Sequence, residues 1–248
     1  MNATSLVACH AMPTNSATTL AIDIGGSGLK AVVLDERGAS LCERVRVETP
    51  TGASPDALVV VLCELVRNLP SYDRVSVGFP GMVRDGIVRT APNLGNEGWQ
   101  GFGLATALQQ GLGRPVRIAN DADVQGLAVI RGCGVEMVVT LGTGFGTGLY
   151  DNGRLCPHLE ISHQPFRKGE TYDQQLGNAA RKKVGHGKWQ RRVLRAFDNL
   201  RDLVHFDHLF VGGGNSRKLD CRLPADVTIV DNQAGLAGGV HLWRDTTD

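Results

Sequence analysis

The sequence predicts an α/β protein built from two similar halves with a cleft between them. Two glycine-rich turns lie about 120 residues apart, and each joins β-type strands, in residues 21–33 and 138–149. After each of these openings, helical and strand-like segments alternate along the chain. A weak internal duplication is the simplest architecture that accounts for both features. Between the turns, the chain carries an Asn-Asp pair at 120–121.

The first half reads as a strand–turn–strand opening followed by alternating helices and strands. Ser54-Pro55 marks a helix start, because serine caps a helix and proline suits its first turn. Leucine and valine then recur at helical spacing between Leu58 and Leu69. The expected elements are strands at 19–24, 29–34 and 40–47, a helix from 54, a strand at 74–78, a helix near 101–111 and a strand at 115–119.

The second half repeats this order with a longer helical region. Asn152-Gly153 is typical of a tight turn between strands. Glycines flanking His186 predict a break in the long helix, and Val193, Phe197 and Leu200 share one face of its later part. The expected elements are strands at 136–141 and 146–150, helix over roughly 173–204, strands at 208–212 and 226–230, and a closing helix from about 233.

Composition narrows the class of protein. The net charge is +1 over 248 residues, so bulk electrostatics favour neither nucleic acid nor a membrane as a partner. No apolar run reaches the ~18 residues of a membrane span, and no secretory signal is recognisable at the start. The six cysteines form no Cys-x-x-Cys pair, so we expect free thiols and a cytoplasmic location.

The glycine turns are candidate phosphate sites. Glycine lets backbone N–H groups approach an anion closely, and Ser or Thr hydroxyls add donors. Asp23, at the end of the first strand, can hold Mg²⁺ through water, or it can cap its own turn. Lys30 can reach a phosphate, although an exposed strand lysine often has no such role. The candidates are Gly25, Gly26, Ser27 and Gly28 in the first turn, and Gly142, Thr143, Gly144 and Gly146 in the second.

Asp121 is the candidate catalytic base. It follows a strand and precedes a helix that starts near Ala122, so it can face the cleft and orient an attacking hydroxyl. Helix capping by Asn120 or Asp121 is the alternative explanation, and both roles are compatible. We expect Asp123 to be a first-turn helix residue that complements the helix dipole. Two phosphate-binding turns with a carboxylate between them indicate a phosphotransferase.

Sugar recognition requires several polar side chains fixed on rigid turns. Asn93, Glu160 and His163 are candidates, and Glu170 or Asp173 can supply a further carboxylate. Solvated loop residues are the alternative for Glu160 and His163. A zinc site built from Cys156, His158, His163 and His186 matches no standard spacing, so we expect no structural zinc.

The densest positive run occupies residues 181–195 and contains no acid. A solvated helix face explains such a run, and a track for a long polyanion is the alternative. The candidate track residues are Lys182, Lys183, Lys188, Arg191 and Arg192. Nucleic acid is a weaker candidate partner because the net charge is near zero and no helix-turn-helix segment precedes the first strand.

Taken together, these motifs resemble the ROK (repressor, open reading frame, kinase) sugar kinases, and within them the polyphosphate glucokinase branch. The likeness runs from about Leu20 to Trp243. The matching motifs are Asp-Ile-Gly-Gly-Ser-Gly-Leu-Lys at 23–30, Thr-Pro at 49–50, Gly-Phe-Pro-Gly at 78–81, Val-Arg-Thr-Ala-Pro-Asn at 88–93, Asn-Asp-Ala-Asp at 120–123, Leu-Gly-Thr-Gly-Phe-Gly at 141–146, Asn-Gly-Arg-Leu at 152–155, Glu-x-x-His at 160–163 and Val-Gly-Gly-Gly-Asn-Ser at 211–216.

The resemblance implies an actin-like ATPase or hexokinase-type (ribonuclease H-like) fold of duplicated βββαβα domains with a central cleft. It implies that Asp121 is the base acting on a sugar 6-hydroxyl. It also implies that the hexose is held by Asn93, Asn120, Glu160 and His163, and that the nucleotide or polyphosphate side is lined by Gly212, Gly213 and Gly214. Two positions depart from the family pattern: Ser162 replaces the glycine of Glu-x-Gly-His, and Asp173 replaces the later sugar-binding Glu. The cysteine-rich zinc segment of many relatives is missing.

We therefore expect a loose tail at 1–17, one domain at 18–117 and a second at 118–248, whose closing helix is a candidate to pack back on the first domain. The expected activity is transfer of a phosphoryl group from polyphosphate, ATP or both to the 6-hydroxyl of glucose or a close hexose such as mannose, with Mg²⁺. The alternatives are an ATP-only hexose kinase of other sugar specificity and a non-catalytic sugar sensor. A repressor would need a DNA-binding module, and the 17-residue tail is too short to supply one. A homodimer is the default assembly.

Overall fold

The computed structural model describes residues 17–95, 97–231 and 235–244. The strands in chain order are β1 (Thr19–Ile24), β2 (Leu29–Leu34), β3 (Val45–Val47), β4 (Arg74–Phe79), β5 (Val83–Arg84), β6 (Ile87–Val88), β7 (Val116–Asn120), β8 (Val135–Leu141), β9 (Phe145–Asp151), β10 (Arg154–Leu155), β11 (Pro165–Arg167), β12 (Glu170–Thr171), β13 (His208–Gly212) and β14 (Val227–Ile229). The α-helices are α1 (Pro55–Val66), α2 (Leu104–Leu112), α3 (Asp121–Leu127), α4 (Tyr172–Leu176), α5 (Asn178–Val184) and α6 (His186–Val204).

The two large sheets have the same topology. The first has the order β3-β2-β1-β4-β7 and the second has the order β10-β9-β8-β13-β14. In each sheet the first three strands form an antiparallel meander, and the next two strands run parallel to the first. The predicted duplication is therefore present strand for strand. The predicted strand at 40–47 is shorter than expected, because only Val45–Val47 pairs with β2 as a strand.

The helices form where the sequence supplies caps. The Ser54 side chain accepts a hydrogen bond from the Ala57 amide, and Pro55 occupies the first turn of α1. Both α1 and α2 pack on one face of the first sheet, where Leu58, Leu62 and Leu108 are fully buried. Helix α3 lies between the two sheets, with Leu127 in a small core against Val138 and Phe210 of the second sheet.

The predicted long helix over 173–204 is broken twice rather than once. Gly177 separates α4 from α5, and Gly185 separates α5 from α6 with φ of +80°. The break at Gly177 has a packing cause, because this residue lies directly against the Thr143 backbone of the second glycine turn and leaves no room for a side chain. Trp189 anchors α6 by donating from Nε1 to the Leu176 carbonyl over 2.7 Å.

The predicted closing helix is a 3₁₀ helix, Ala237–Trp243, and residues 233–234 of the predicted element lie outside the described part. It contacts the first sheet: Ser76 Oγ on β4 donates to the Gly239 carbonyl over 2.6 Å and accepts from Trp243 Nε1 over 2.8 Å. Arg117 on β7 donates to the Leu242 carbonyl over 2.6 Å. The end of the described chain is thus tied to β4 and β7 of the first sheet.

Among the described cysteines, one departs from expectation. Cys42, Cys63, Cys156 and Cys221 are free thiols, as predicted, whereas Cys133 is disulfide-bonded. Across the described ranges, none of the helices combines the length and apolar character required to cross a membrane.

Candidate active site

The site lies where parallel strands of both sheets end. β1, β4 and β7 run parallel, so their carboxyl ends meet at one edge of the first sheet, and β8 and β13 do the same in the second. Ligands of open α/β sheets bind at such edges. A cleft of about 360 Å³ opens there, within the range of small-molecule sites. It brings together these predicted site residues: Gly25, Gly26, Asn93, Asn120, Asp121, Gly142, Thr143, Gly144, Gly146, Glu160, His163, Asp173, Gly213 and Gly214.

A second cavity of about 150 Å³ lies on the other side of Asp121. Asp23 and Lys30 line this cavity, together with Arg44 and Gln125, which the sequence reasoning did not single out. Asp121 and Gln125 line both cavities. Gln125 follows Asp121 by one helical turn, and this i, i+4 spacing on α3 is the signal that would have indicated it.

Three predicted phosphate-site residues lie apart from these two cavities. Of the three cavities described, Gly212 borders the smallest, beside Gln125 and Asp231. Gly28 is buried against the guanidinium of Arg46, and Ser27 is exposed on the turn without lining any of the three cavities. The structure therefore assigns the first turn's cleft surface to Gly25 and Gly26.

Asp121 is fixed by the start of α3. The Asn120 side chain accepts from the Ala122 amide over 2.8 Å and donates to the Gly81 carbonyl over 3.1 Å, so Asn120 caps the helix. This leaves the Asp121 carboxylate in the cleft, where Oδ1 accepts from the same amide over 2.9 Å. Burial and the negative charge of Asp23 raise the pKa of Asp121 to about 7. Such a carboxylate is suited to accept a proton near neutral pH.

Asp23 and Lys30 form an ion pair, with 2.8 Å between Oδ2 and Nζ. Lys30 therefore neutralises Asp23 in this state rather than reaching freely into the cleft. The Asp23 carboxylate offers the oxygen donor that Mg²⁺ prefers, and it shares its cavity with Asp121. No cluster of three or more His, Cys, Asp or Glu capable of holding a metal is found among the described residues. A single carboxylate such as Asp23 fits Mg²⁺ that keeps most of its water ligands, rather than a metal enclosed by protein ligands alone.

Glu160 and His163 line the cleft from the loop that follows β10. Ser162, the departure from the family glycine, donates from Oγ to Glu160 Oε1. His158 lies on the other side of Glu160, with 3.7 Å between Nε2 and Glu160 Oε2, and its Nδ1 is 2.9 Å from Asp123 Oδ2. The sequence pattern suggested only a weak zinc role for His158, because its contact with Asp123 joins positions 35 residues apart.

Asp173 reaches the cleft beside the second glycine turn. Its Oδ1 accepts from the Phe145 amide over 2.6 Å. A Cβ on Gly144 would lie 2.6 Å from the same oxygen, which explains the requirement for glycine there. Burial raises the pKa of Asp173, against the opposing effect of the Phe145 hydrogen bond. Asp173 thus supports the turn while one face of its carboxylate lines the cleft.

The second glycine turn is anchored from outside the cleft. Its Gly142 carbonyl accepts from the Asn178 amide at the start of α5 and from Asn215 Nδ2, each over 3.0 Å. Gly213 has φ of +88° and lies directly against the Leu141 backbone, so a side chain there would be both strained and obstructed. These contacts join the turns after β8 and β13 into one surface.

The basic run lies beside this turn rather than inside the cleft. Lys182 and Lys183 are exposed on α5, and Lys188 and Arg191 are exposed on one face of α6. Arg192 is half-buried and donates to the Gln175 carbonyl over 3.4 Å. Because α5 begins at Asn178, Lys182 lies about 6 Å along the helix axis from the residue that holds Gly142.

The duplicated sheets, the strand-end cleft and the carboxylate between glycine turns define the actin-like, hexokinase-type class of phosphotransferase folds. The ROK family model matches residues 19–158. Polyphosphate glucokinase of Mycobacterium tuberculosis is 31% identical over 244 residues, covering 91% of each chain. The chain belongs to the ROK family, and the predicted recognition and fold class are confirmed.

Solved structures agree with this assignment. The inorganic polyphosphate/ATP-glucomannokinase of Arthrobacter sp. strain KM superposes with a TM-score of 0.79 at 30% identity, covering 90% of this chain and 97% of the other. A ROK family glucokinase from Streptomyces griseus, solved with glucose and AMPPNP, superposes with a TM-score of 0.75 at 21% identity, covering 91% and 98%, and this supports the fold. The protein is an enzyme of the phosphotransferase class.

Proposed function

We propose that this enzyme is a glucokinase that phosphorylates the 6-hydroxyl of glucose, or of a close hexose such as mannose, with polyphosphate, ATP or both as donor. The observation that carries the proposal is the place of Asp121, which lines both the large cleft and the second cavity. The glycine turns line the same cleft, and Asp23 lines the cavity on the other side, so an acceptor, a donor and a hydrated cation can meet at this one carboxylate. The relatives named as polyphosphate glucokinase and glucomannokinase favour the same substrates.

The large cleft is the proposed hexose site. Asn93, Glu160, His163 and Asp173 supply polar groups on its walls, and Asn120 holds the first turn of α3 beside them. A sugar hydroxyl both donates and accepts hydrogen bonds, so a mixed set of amide, imidazole and carboxylate groups can satisfy it. The 6-hydroxyl would donate to Asp121, which takes its proton as the oxygen attacks the terminal phosphorus. The bond from that phosphorus to its bridging oxygen breaks in the same transfer.

The donor phosphates would lie against the glycine turns. Gly25 and Gly26 line the cleft together with Gly144, Gly213 and Gly214, so backbone amides after strands of both sheets can approach the phosphate chain. Mg²⁺, held through water by Asp23, would neutralise charge on the donor phosphates when bound. Lys30 would exchange its pairing with Asp23 for the anionic donor as charge accumulates there.

Polyphosphate would continue along the basic run. The track residues Lys182, Lys183, Lys188, Arg191 and Arg192 start one helical turn from the anchored second glycine turn. Helix α6 begins without a side-chain cap and without an acidic residue in its first turn, although Lys188 is there. Positive charge at a helix start is unfavourable for the helix itself. This arrangement is better explained by an external polyanion than by helix stability.

The test is formation of hexose 6-phosphate by the purified protein with Mg²⁺, comparing polyphosphate and ATP over a salt series. Activity with polyphosphate that falls steeply with salt supports the track, since exposed charges are screened. Activity with ATP alone would make the basic helices a solvated surface. Sugar binding without product from glucose or mannose would leave a non-catalytic sensor. Cytoplasmic location and a homodimeric assembly stay predictions.

A further inference from the structure

His158 lines the large cleft but has no role in the proposed reaction. Its ring lies on the wall of the large cleft, and its side chain is only 8% exposed. Nδ1 is 2.9 Å from Oδ2 of Asp123, whose side chain is 3% exposed on α3, two residues after Asp121. The ring therefore joins the sugar loop to the helix that carries the proposed base.

The other ring nitrogen faces Glu160. Nε2 has no hydrogen-bond partner among the residues that the structure describes, and it lies 3.7 Å from Glu160 Oε2, beyond normal hydrogen-bond length. Leaving a buried donor unpaired costs about 1–3 kcal/mol. A small movement of Glu160 towards the ring would close this contact. Glu160 is held on its opposite oxygen by Ser162, so the carboxylate is guided from both ends.

The charge state suits this contact. Burial of the ring disfavours its charged form, yet Asp123 and Glu160 together raise the pKa of His158 to about 10. His158 in turn lowers the pKa of Glu160. An imidazolium between two carboxylates keeps Glu160 ionised, and an ionised carboxylate accepts hydrogen bonds without donating any. Such a Glu160 favours a ligand group that donates, as a sugar hydroxyl does.

We propose that His158 is a positioning residue that, braced by Asp123, aims the Glu160 carboxylate at a hydroxyl of the sugar. This inference rests on the proposed function, and it assigns to Asp123 the role of bracing the ring in addition to its place in the first turn of α3. It also gives Ser162 a function, because the hydroxyl that replaces the family glycine completes the support of Glu160. The chain Asp123–His158–Glu160–Ser162 links α3 to the sugar loop.

The test is a steady-state comparison of His158→Gln, Glu160→Gln and the double variant, with glucose and donor varied separately. His158→Gln should raise KM for glucose at least about tenfold, the worth of one charge-assisted contact, while kcat changes less than about threefold and the donor KM stays unchanged. In the Glu160→Gln background, the same substitution should have little further effect, because its action passes through Glu160. His205→Asn, at an exposed helix end with φ of +52°, is the matched control and should behave as wild type.

KM does not depend on the fraction of folded enzyme, so a merely structural role would lower the apparent kcat and leave the KM for glucose unchanged. An unchanged KM for glucose in an active His158→Gln enzyme would overturn the role of His158 and leave the proposed function standing. Full additivity of the two substitutions would overturn it too. Wild-type protein that binds and phosphorylates neither glucose nor mannose would refute the proposed function, and this inference with it.

Discussion

Replacing Asp121 by Asn should stabilise the protein at alkaline pH. Burial and Asp23 raise the pKa of Asp121 from 3.8 to about 7, so above pH 7 the fold holds a carboxylate in an unfavourable place. A difference of about three pKa units corresponds to roughly 4 kcal/mol of unfolding free energy at about 1.4 kcal/mol per unit. Asn has the same shape without the charge, so the variant avoids this cost.

The sign of the pH dependence follows from linkage. The folded pKa is raised, so the stability that proton binding supplies is fully present below about pH 4 and is lost as pH rises towards 7. The gain of Asp121→Asn over wild type should therefore be near zero at about pH 3, roughly 2 kcal/mol at about pH 5 and roughly 4 kcal/mol at about pH 8.

Urea unfolding without sugar measures this gain in the free energy of unfolding at each pH. EDTA is included because it removes any cation that would offset the charge of Asp121. Asp202→Asn makes the same change on the exposed face of α6 and should stay within about 0.5 kcal/mol at every pH. An Asp121→Asn variant that is equally or less stable than wild type at pH 8 would refute the account of Asp121 as a carboxylate whose pKa the fold raises to about 7.

Three further predictions concern activity. The rate of phosphoryl transfer should rise with pH through about 7, because only ionised Asp121 accepts the hydroxyl proton, and a flat kcat/KM profile from pH 5 to 9 would contradict this. Gly144→Ala should raise KM for glucose at least about tenfold, because its Cβ would lie 2.6 Å from the Asp173 carboxylate and displace it. The control is Gly187→Ala on α6, where a Cβ would meet only a side-chain tip at 3.9 Å, and it should leave this KM unchanged. The third change replaces four track residues by Gln: Lys182, Lys183, Arg191 and Arg192. This variant should lose more activity with polyphosphate than with ATP, and its polyphosphate activity should depend less on salt. Equal losses with both donors would contradict the polyphosphate track.

The sequence predicted the fold well because its signals are local. Strands β1 and β2 have the predicted bounds, and the Ser54-Pro55 start of α1 is where the cap placed it. The second break in the 172–204 region was missed because Gly177 is dictated by contact with Thr143, a residue remote in sequence. The contact of the closing segment with β4 likewise joins residues remote in sequence, so no local pattern indicates it.

Some residues of the candidate site could be predicted from local sequence patterns, and others could not. Asp121 and the glycine turns could be found from motifs, because strand ends and tight turns leave a local pattern. Arg44 and His158 could not, since each reaches its cavity through tertiary packing alone. Ser27 and Gly28 show the converse: they belong to the motif, yet the turn directs them away from both large cavities.

The central claim is that Asp121 is the base for phosphoryl transfer to a bound hexose. The most direct measurement pairs glucose binding by calorimetry with hexose 6-phosphate formation, for wild type and Asp121→Asn at pH 8 with Mg²⁺ and both donors. The account predicts binding within about threefold of wild type and turnover reduced by about 10²–10⁴, the usual contribution of a positioned base. Near-normal turnover by the Asn variant would contradict it.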